Sequence, residues 1–246
     1  MKVHFLGTNG WYDTKTGNTV CVLIETKNEY VIFDAGNGFY KIGRHIKKDK
    51  PVYLFLSHYH LDHVIGFHTL VRFKFPQGID IYGPAGLKKF FRDVIKKPYS
   101  VPISRLKMRI DLHEIKATSL LPLGAQCKPL KHASVCYGYR FTSEGKTVTY
   151  CTDTGTCKNL SLLAQKADLL ITECSFKPGQ VNDKWPHLNP EQAAEVARES
   201  KCKKMVLLHF DASIYVNMVQ RREAAAVGRK IFRNTVAAVD GLTISL

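Results

Sequence analysis

The sequence predicts a mixed α/β fold, of the α+β kind, in which helices cover packed β-sheets. Two observations support this prediction. Short β-rich runs fill the first third of the chain, whereas strands and helices alternate in the second half. A strand meander followed by such alternation favours helices on the outer faces of stacked sheets over a pure βαβ fold.

Four strand candidates occupy the first third, and a polar turn at residues 26–29 separates the second from the third. We expect these strands to be antiparallel neighbours. A helix is predicted next, because Leu87, Phe90, Phe91 and Val94 repeat with helical spacing. The strands are predicted at residues 2–6, 19–25, 30–33 and 52–57, and the helix at residues 85–96.

The second half alternates between strands and helices. The first of its helices has clear boundary signals, with Asn189 as N-cap and Pro190 at the first helical position. The second helix is basic, and we expect its arginines Arg221, Arg222 and Arg229 to form a solvated face, with a partner surface as the alternative. Strands are predicted at 147–151, 167–172, 205–209, 235–239 and 242–246, and helices at 190–200 and 216–228.

Composition limits the class of protein. The chain has 246 residues, of which 45% are apolar, which excludes disorder, collagen and coiled coil. No apolar run approaches the roughly 20 residues of a membrane span, and no signal peptide begins the chain, so we expect no membrane partner. Proline and glycine do not concentrate in a linker, which predicts a single domain over residues 1–246. Seven scattered cysteines without a CxxC pair favour a reducing, cytoplasmic location.

The net charge is the one abnormal quantity. With 36 Lys and Arg against 21 Asp and Glu, the formal charge is +15. Such an excess favours a polyanionic partner, such as nucleic acid or a phosphate ester, and solubility alone is the alternative explanation.

The segment at residues 57–63 carries the strongest chemical signal. His58, His60, Asp62 and His63 fall within six positions directly after an apolar strand. Alternate residues of an extended segment point the same way, so His58 and His60 can hold one ion. The following turn can offer Asp62 and His63 to a second ion. Imidazole and carboxylate ligands suit Zn(II), Fe(II) or Mn(II).

This HxHxDH motif resembles the signature of the metallo-β-lactamase superfamily. Further residues match that family in order, namely Asp34 as a buried supporting residue, then His132, Asp153 and His209 after later strands. The resemblance implies a four-layer αββα sandwich and two divalent ions, zinc first and manganese or iron as alternatives. It implies that one ion is bound by His58, His60 and His132, the other by Asp62, His63 and His209, and that Asp153 bridges them.

Four short segments resemble one branch of the superfamily, ribonuclease Z and its phosphodiesterase relatives. They lie at residues 5–8, 81–88, 172–176 and 187–194. The resemblance implies that Glu173 and His187 work as a pair that protonates the leaving group, and that the catalytic group is Asp62, Glu173 and His187. Attack is expected from a hydroxide held between the ions. An imidazole next to a carboxylate makes a competent general acid, because the carboxylate raises its pKa and fixes its tautomer.

Departures from that branch affect the substrate. Ribonuclease Z carries a long arm that grips tRNA, usually between the positions matching His132 and Asp153, but here only 21 positions separate them and residues 137–149 read as one plain hairpin. A substrate loop of the family is partly kept at residues 13–18, where Lys15 and Asn18 are the implied substrate contacts. These features favour an arm-less relative that hydrolyses small phosphodiesters.

The predicted function is therefore a dinuclear metal-dependent hydrolase that acts on a phosphodiester. The alternatives are a ribonuclease Z-like enzyme that processes tRNA 3′ ends without the arm, a carboxyl-ester, lactone or thioester hydrolase, and a non-enzymatic metal or nucleic-acid binding module. The expected partner is an anionic phosphodiester or nucleotide, with RNA left open. Family members commonly pair, so a homodimer is also left open.

Overall fold

The computed structural model describes residues 1–246, whose strands form two large sheets and one small one. The strands, in chain order, are Lys2–Gly7 (β1), Asn9–Gly10 (β2), Cys21–Glu25 (β3), Tyr30–Phe33 (β4), Val52–Phe55 (β5), Ile79–Pro84 (β6), Ile110–Ile115 (β7), Gln126–Pro129 (β8), Tyr137–Ser143 (β9), Lys146–Cys151 (β10), Leu169–Glu173 (β11), Met205–Leu208 (β12), Phe210–Asp211 (β13), Thr235–Ala237 (β14) and Thr243–Ser245 (β15).

The helices lie on the outer sides of the large sheets. The α-helices are Leu61–Val64 (α1), Leu87–Asp93 (α2), Lys158–Ala164 (α3), Pro190–Glu199 (α4) and Met218–Ile231 (α5). Short 3₁₀ helices span Asn37–Arg44, Ile65–Arg72, Ile103–Arg105 and Pro122–Gly124. None of these helices combines the length and the apolar composition that crossing a bilayer requires.

The strand order builds two facing sheets from the two halves of the chain. The first sheet has the order β15-β1-β3-β4-β5-β6-β7, and the second has the order β14-β12-β11-β10-β9-β8. The short strands β2 and β13 pair in parallel and join the start of the chain to the segment after β12. The last strand, β15, returns to pair with β1, so both ends of the chain lie in the first sheet.

Three apolar cores separate four layers. The central core fills the space between the sheets, with Phe33 and Phe55 from the first sheet against Tyr139 and Tyr150 from the second. A second core packs the 3₁₀ helices Asn37–Arg44 and Ile65–Arg72, together with α2, against the outer face of the first sheet. A third packs α3, α4 and α5 against the outer face of the second sheet. Successive side chains of a strand point to opposite faces, so each sheet has one apolar face towards the other sheet and one towards the helices. The result is the predicted αββα sandwich.

Several sequence predictions are confirmed. Strands β9 and β10 form the plain hairpin, and Glu144 and Gly145 both have positive φ in its two-residue turn. Asn189 caps α4 with a capping box, because its side chain accepts from the Gln192 backbone and the Gln192 side chain accepts from the Asn189 backbone. The assignment of residues 1–246 to one domain stays a prediction.

Three predictions about elements are wrong or incomplete. Strands β4 and β5 pair in parallel, because the 3₁₀ helix between them carries the chain back to the same end of the sheet. The predicted helix 85–96 is shorter, since Gly86 has φ 101°, outside the helical region. The basic helix begins at Met218 rather than at residue 216, because Asn217 forms its capping box.

Candidate metal centre and active site

The candidate site lies where strands of both large sheets end. Asp34 follows β4, His58 lies three residues beyond β5, Asp153 follows β10, and His209 directly follows β12. Strands β4 and β5 are parallel, as are β10, β11 and β12, so their carboxyl ends meet at one edge. The HxHxDH segment of one sheet is thereby brought against residues from the other.

We name two groups of side chains that meet there. The His58 cluster consists of His58, His60 and His132, and the Asp62 cluster consists of Asp62, His63 and His209. In each group the potential ligand atoms lie within 4.8 Å of one another, and Asp153 belongs with the His58 cluster in the same sense. The structure thus brings together all seven residues for which the sequence predicts metal binding.

The atoms of the Asp62 cluster are closely spaced. His209 Nε2 lies 3.2 Å from Asp62 Oδ2, from His63 Nε2 and from Asp153 Oδ1. His63 Nε2 lies 3.2 Å from Asp153 Oδ1 and 3.5 Å from Asp62 Oδ2. These separations match the edges of roughly 3.3 Å expected between ligands of a tetrahedral zinc ion whose bonds are about 2.0–2.1 Å.

The His58 cluster is more open. His132 Nε2 lies 3.3 Å from His60 Nδ1, whereas His58 Nε2 and His132 Nε2 lie 3.7 and 3.9 Å from Asp153 Oδ2. Asp153 thus presents one carboxylate oxygen to each cluster. His58 Nε2, which faces Asp153, is buried without a hydrogen-bond partner. A buried imidazole nitrogen without a partner is costly unless a cation or a water meets it, so this donor set fits a bound metal.

Protonation states in the His58 cluster fit metal binding directly. Burial, with His63 beside it, holds the pKa of His58 well below its usual value, and burial lowers the pKa of His132 to about 4. Burial would raise the pKa of Asp62, but the neighbouring His63 and His209 outweigh it and hold that pKa below its ordinary value. Neutral imidazoles and ionised carboxylates are the forms that bind metals. In the Asp62 cluster burial would lower the pKa of His63 and of His209, but Asp153 and Asp62 raise both, so a metal ion would have to displace a proton there.

Residues with an unfavourable backbone conformation are concentrated at the site. Eight residues other than glycine have positive φ, and four of them lie here, namely Trp11, Asp34, Asp153 and His209. Gly10 leaves room for the His209 ring, because a Cβ atom on residue 10 would lie only 2.5 Å from that ring. Strain of this kind persists only where surrounding contacts determine it, and such residues cluster at functional sites.

Buried polar side chains hold the Asp62 cluster in place. The Asp34 carboxylate is fully buried and lies 2.8 Å from His63 Nδ1. It also accepts hydrogen bonds from the Ser57 backbone, the Ser57 hydroxyl and the Tyr150 hydroxyl. Ser175 Oγ lies 2.9 Å from His209 Nδ1. Such partners fix the orientation of a histidine ligand and raise its basicity.

Glu173 and His187 form a buried pair beside the clusters. Glu173 Oε1 lies 2.8 Å from His187 Nδ1, and the same carboxylate accepts from the backbone of Thr154, Ser175 and Leu188. Burial would lower the pKa of His187, but the charge and hydrogen bond of Glu173 raise it to about 9. The Glu173 carboxylate therefore orients the ring and favours its cationic form.

One cavity of about 620 Å³ opens onto this centre. Metal-cluster residues and His187 line its floor, and apolar side chains line its rim. Its lining residues are Gly10, Trp11, Tyr12, His60, Leu61, Asp62, Asp153, Ser175, Trp185, His187, His209 and Asp211. Lys15 and Asn18 are not among them. Lys15 is exposed on its loop, and Asn18 Nδ2 donates to Asp13 within that loop.

Sequence reasoning missed several supporting residues. Ser175 lies in the segment 172–176, of which only Glu173 was assigned a role. Both tryptophans of the cavity lie on loops, where no periodic pattern predicts the position of a side chain. Arg221, expected on a solvated face, is fully buried and donates to Thr8, Asn9 and Thr16, because α5 turns that side chain beneath the β2 loop. Arg222 and Arg229 are exposed, as expected.

Comparisons with known proteins agree with this geometry. The family model described as a beta-lactamase superfamily domain matches residues 29–210. Ribonuclease Z of Bacillus licheniformis is 29% identical over 98% of this chain and 97% of its own length. The metallo-beta-lactamase fold protein YhfI of Bacillus subtilis superposes with a TM-score of 0.82 at 22% identity, covering 99% of this chain and 98% of YhfI. Human tRNase Z, short form, superposes with a TM-score of 0.76 at 22% identity, over 100% and 99% of the two chains.

The fold, the clustered metal-binding side chains and these similarities define the class of the protein as a metal-dependent hydrolase. The chain belongs to the metallo-β-lactamase superfamily, and its similarity to ribonuclease Z extends over nearly its whole length.

Proposed function

We propose that this chain hydrolyses phosphodiesters at a dinuclear metal centre held by the His58 cluster, the Asp62 cluster and the bridging Asp153. Two divalent ions there would activate water and neutralise charge on the phosphoryl oxygens, and zinc is the metal that the ligand spacing favours. Manganese and iron also accept this donor set.

The observation that carries the proposal is the pair formed by Glu173 and His187. Cleavage of a phosphodiester expels an alkoxide, which leaves readily only when it is protonated. His187 lines the cavity, and its Nδ1 is held at 2.8 Å by Glu173, which leaves the other ring nitrogen for the substrate. A cationic imidazole in this position serves as the proton donor to the leaving oxygen.

Processing of tRNA 3′ ends, as in ribonuclease Z, is the second candidate function. The curated relative is a ribonuclease Z, and this likeness favours RNA cleavage over a generic phosphodiesterase. The alignment with the Bacillus licheniformis enzyme has 300 positions, 54 more than the 246 residues of this chain, so that enzyme has segments that this chain lacks. A two-residue turn closes the β9–β10 hairpin, where the resemblance to ribonuclease Z implies the tRNA-gripping arm. An RNA substrate would therefore have to be held by other surfaces.

Lactone, ester or thioester hydrolysis on the same metals is less well supported. A thiolate or the anion of an acidic alcohol leaves without being protonated, so reactions that release one do not need His187 as a proton donor.

We include a cytoplasmic location in the proposal. All seven cysteines are unpaired, which is typical of proteins from reducing compartments.

A substrate panel with the metal-loaded protein tests the proposal. The panel contains bis-p-nitrophenyl phosphate, a 2′,3′-cyclic nucleotide, a precursor tRNA with a 3′ trailer, and a lactone. Turnover of the diesters alone supports a small-molecule phosphodiesterase, and efficient trailer cleavage supports the ribonuclease Z candidate. Turnover of the lactone alone contradicts both.

The variant His187→Ala tests the role of the pair. Loss of a general acid should lower kcat by roughly 10²- to 10⁴-fold, while elemental analysis finds the same metal content as in the wild type. His113, which lies outside the cavity and next to Asp80, offers the matched control His113→Ala. Because p-nitrophenolate leaves without being protonated, this comparison uses the 2′,3′-cyclic nucleotide, and unchanged turnover of that diester in His187→Ala would exclude the role.

A further inference from the structure

Both tryptophans of the chain lie at the mouth of the cavity. The sequence contains only Trp11 and Trp185, both line the cavity, and their side chains are 66% and 49% exposed. Tyr12 and Leu61 on the same rim are also exposed. Scattered exposed apolar residues are ordinary, but several grouped around a polar cavity indicate a surface that a ligand covers.

Trp11 is held in a conformation that is unfavourable for its own backbone. Its φ is 72°, in the left-handed region, and its backbone N–H donates to Asp62 Oδ2 at 2.8 Å. Glycine would adopt this conformation without strain, so a bulky side chain here indicates that the indole itself has a use. The hydrogen bond fixes the Trp11 backbone beside the Asp62 cluster, so the indole projects from there into the cavity mouth.

Trp185 lies on the other side of the centre. Its ring is nearly parallel to that of His60, at 11° and 6.4 Å between centroids. The ring centroids of His187 and His132 lie 6.0 and 6.2 Å away. Trp185 therefore adjoins the His58 cluster and the proton donor, whereas Trp11 adjoins the Asp62 cluster.

A polar floor flanked by two exposed indoles matches the chemistry of a nucleotide. The phosphate would meet the metal clusters, and each organic substituent of a diester would extend towards one side of the rim. Indole faces stack on planar aromatic groups such as nucleobases, and they gain much less from a small alkyl group. We propose that Trp11 and Trp185 form a stacking pair that selects phosphodiesters bearing nucleobases, an inference that rests on the proposed phosphodiesterase function.

Binding can be measured without turnover, because the two tryptophans supply all indole fluorescence of the chain. The metal-loaded protein is titrated with adenosine 5′-monophosphate and, as the control without a base, with ribose 5-phosphate. The base should quench the fluorescence and tighten binding by roughly 5- to 150-fold. The variants Trp11→Phe and Trp185→Phe each leave one indole to report its own contact. Equal affinity for the two ligands, with no quenching, overturns the proposal.

Turnover gives a second, independent test. Thymidine 5′-(p-nitrophenyl phosphate) and methyl p-nitrophenyl phosphate share a leaving group and differ only in the retained substituent. The variants Trp11→Leu and Trp185→Leu are compared with Tyr99→Leu, which removes an exposed aromatic ring outside the cavity. At least one tryptophan variant should lose several-fold or more of the nucleoside preference in kcat/KM, mainly through KM, while Tyr99→Leu keeps it.

An unchanged preference in both tryptophan variants overturns the stacking pair. Should the wild type hydrolyse neither diester, the proposed phosphodiesterase function fails instead. The fluorescence titration then decides the stacking pair alone, so the two failures are distinguishable.

Discussion

The Asp62 cluster and the His58 cluster are built from similar side chains but are held to different degrees. Ligand atoms of the Asp62 cluster lie 3.2–3.5 Å apart. In the His58 cluster, His132 Nε2 lies 3.3 Å from His60 Nδ1, and His58 and His132 lie 3.7 and 3.9 Å from Asp153. Asp34 and Ser175 orient both histidines of the Asp62 cluster. In the His58 cluster Ser57 Oγ orients His58, whereas His132 Nδ1 has no partner.

In the proposed dinuclear centre, this difference would give the two metal sites unequal tasks. A carboxylate behind a histidine orients the ring and strengthens its bond to a metal, so the Asp62 cluster should bind its ion more tightly. His60 in the other cluster is half-buried and lines the cavity beside Trp185. The His58 cluster would thus be the more adaptable site, and it adjoins both His187 and the cavity.

The largest loss of turnover is expected from a substitution that displaces a side chain of the Asp62 cluster. In Gly10→Ala the new methyl group would lie 2.5 Å from the His209 ring, which must shift. A misplacement of about 1 Å can lower turnover by roughly 10²-fold, and elemental analysis should find less than two ions per chain.

The variant Gly43→Ala provides the control, because its methyl group would meet only the flexible Phe73 ring, at 3.3 Å. Full activity in Gly10→Ala would show that His209 does not need its present position.

The pH profile should report the Glu173–His187 pair, which belongs to neither cluster. Burial lowers and Glu173 raises the pKa of His187, to about 9. Because the protonated form donates, kcat/KM should be retained below this pKa and fall up to tenfold per unit as pH rises through it. Bound metal ions would lower the pKa of His187, so the test compares two proteins rather than an absolute pH. In Glu173→Gln the alkaline limb of the profile should shift towards lower pH. The exposed Glu195→Gln is the control, and an unmoved alkaline limb in Glu173→Gln contradicts the pairing.

The smallest effect should come from ionic strength, which acts on the whole molecule rather than on either cluster. The formal charge of +15 should steer an anionic diester towards the cavity. Raising salt from about 0.02 to 0.3 M should lower kcat/KM by roughly tenfold or less, while kcat changes little. An insensitive kcat/KM would assign the excess charge to solubility.

The sequence was most informative where chemistry and chain order coincide. Residue type and spacing predicted the four candidate ligands within six residues, whereas His132, Asp153 and His209 were implied by the resemblance to the metallo-β-lactamase superfamily. Parallel pairing of β4 with β5 was missed, because strand patterns do not encode direction. The half-exposed edge strands β7 and β8 were missed too, as their mixed polar residues resemble loops.

Features that depend on tertiary placement could not be predicted. Arg221 carries the same charge as its exposed neighbour Arg222, and only the packing of α5 against the β2 loop buries it. Trp11 and Trp185 are 174 positions apart in the chain, and folding alone brings both to one rim. Lys15 and Asn18 remain predictions as substrate contacts, outside the lining of the cavity.

The most direct test of the central claim is a calorimetric titration of the metal-free protein with zinc, followed by diester turnover at each point. We predict two equivalents with affinities that differ by about 10- to 100-fold, and turnover that appears mainly with the second. Asp34→Asn should weaken the tighter step and bring the two affinities together, whereas Asp49→Asn, at an exposed position, should not. Saturation at one equivalent with full turnover, or two equal steps that Asp34→Asn leaves unchanged, would contradict a centre built from two unequal sites.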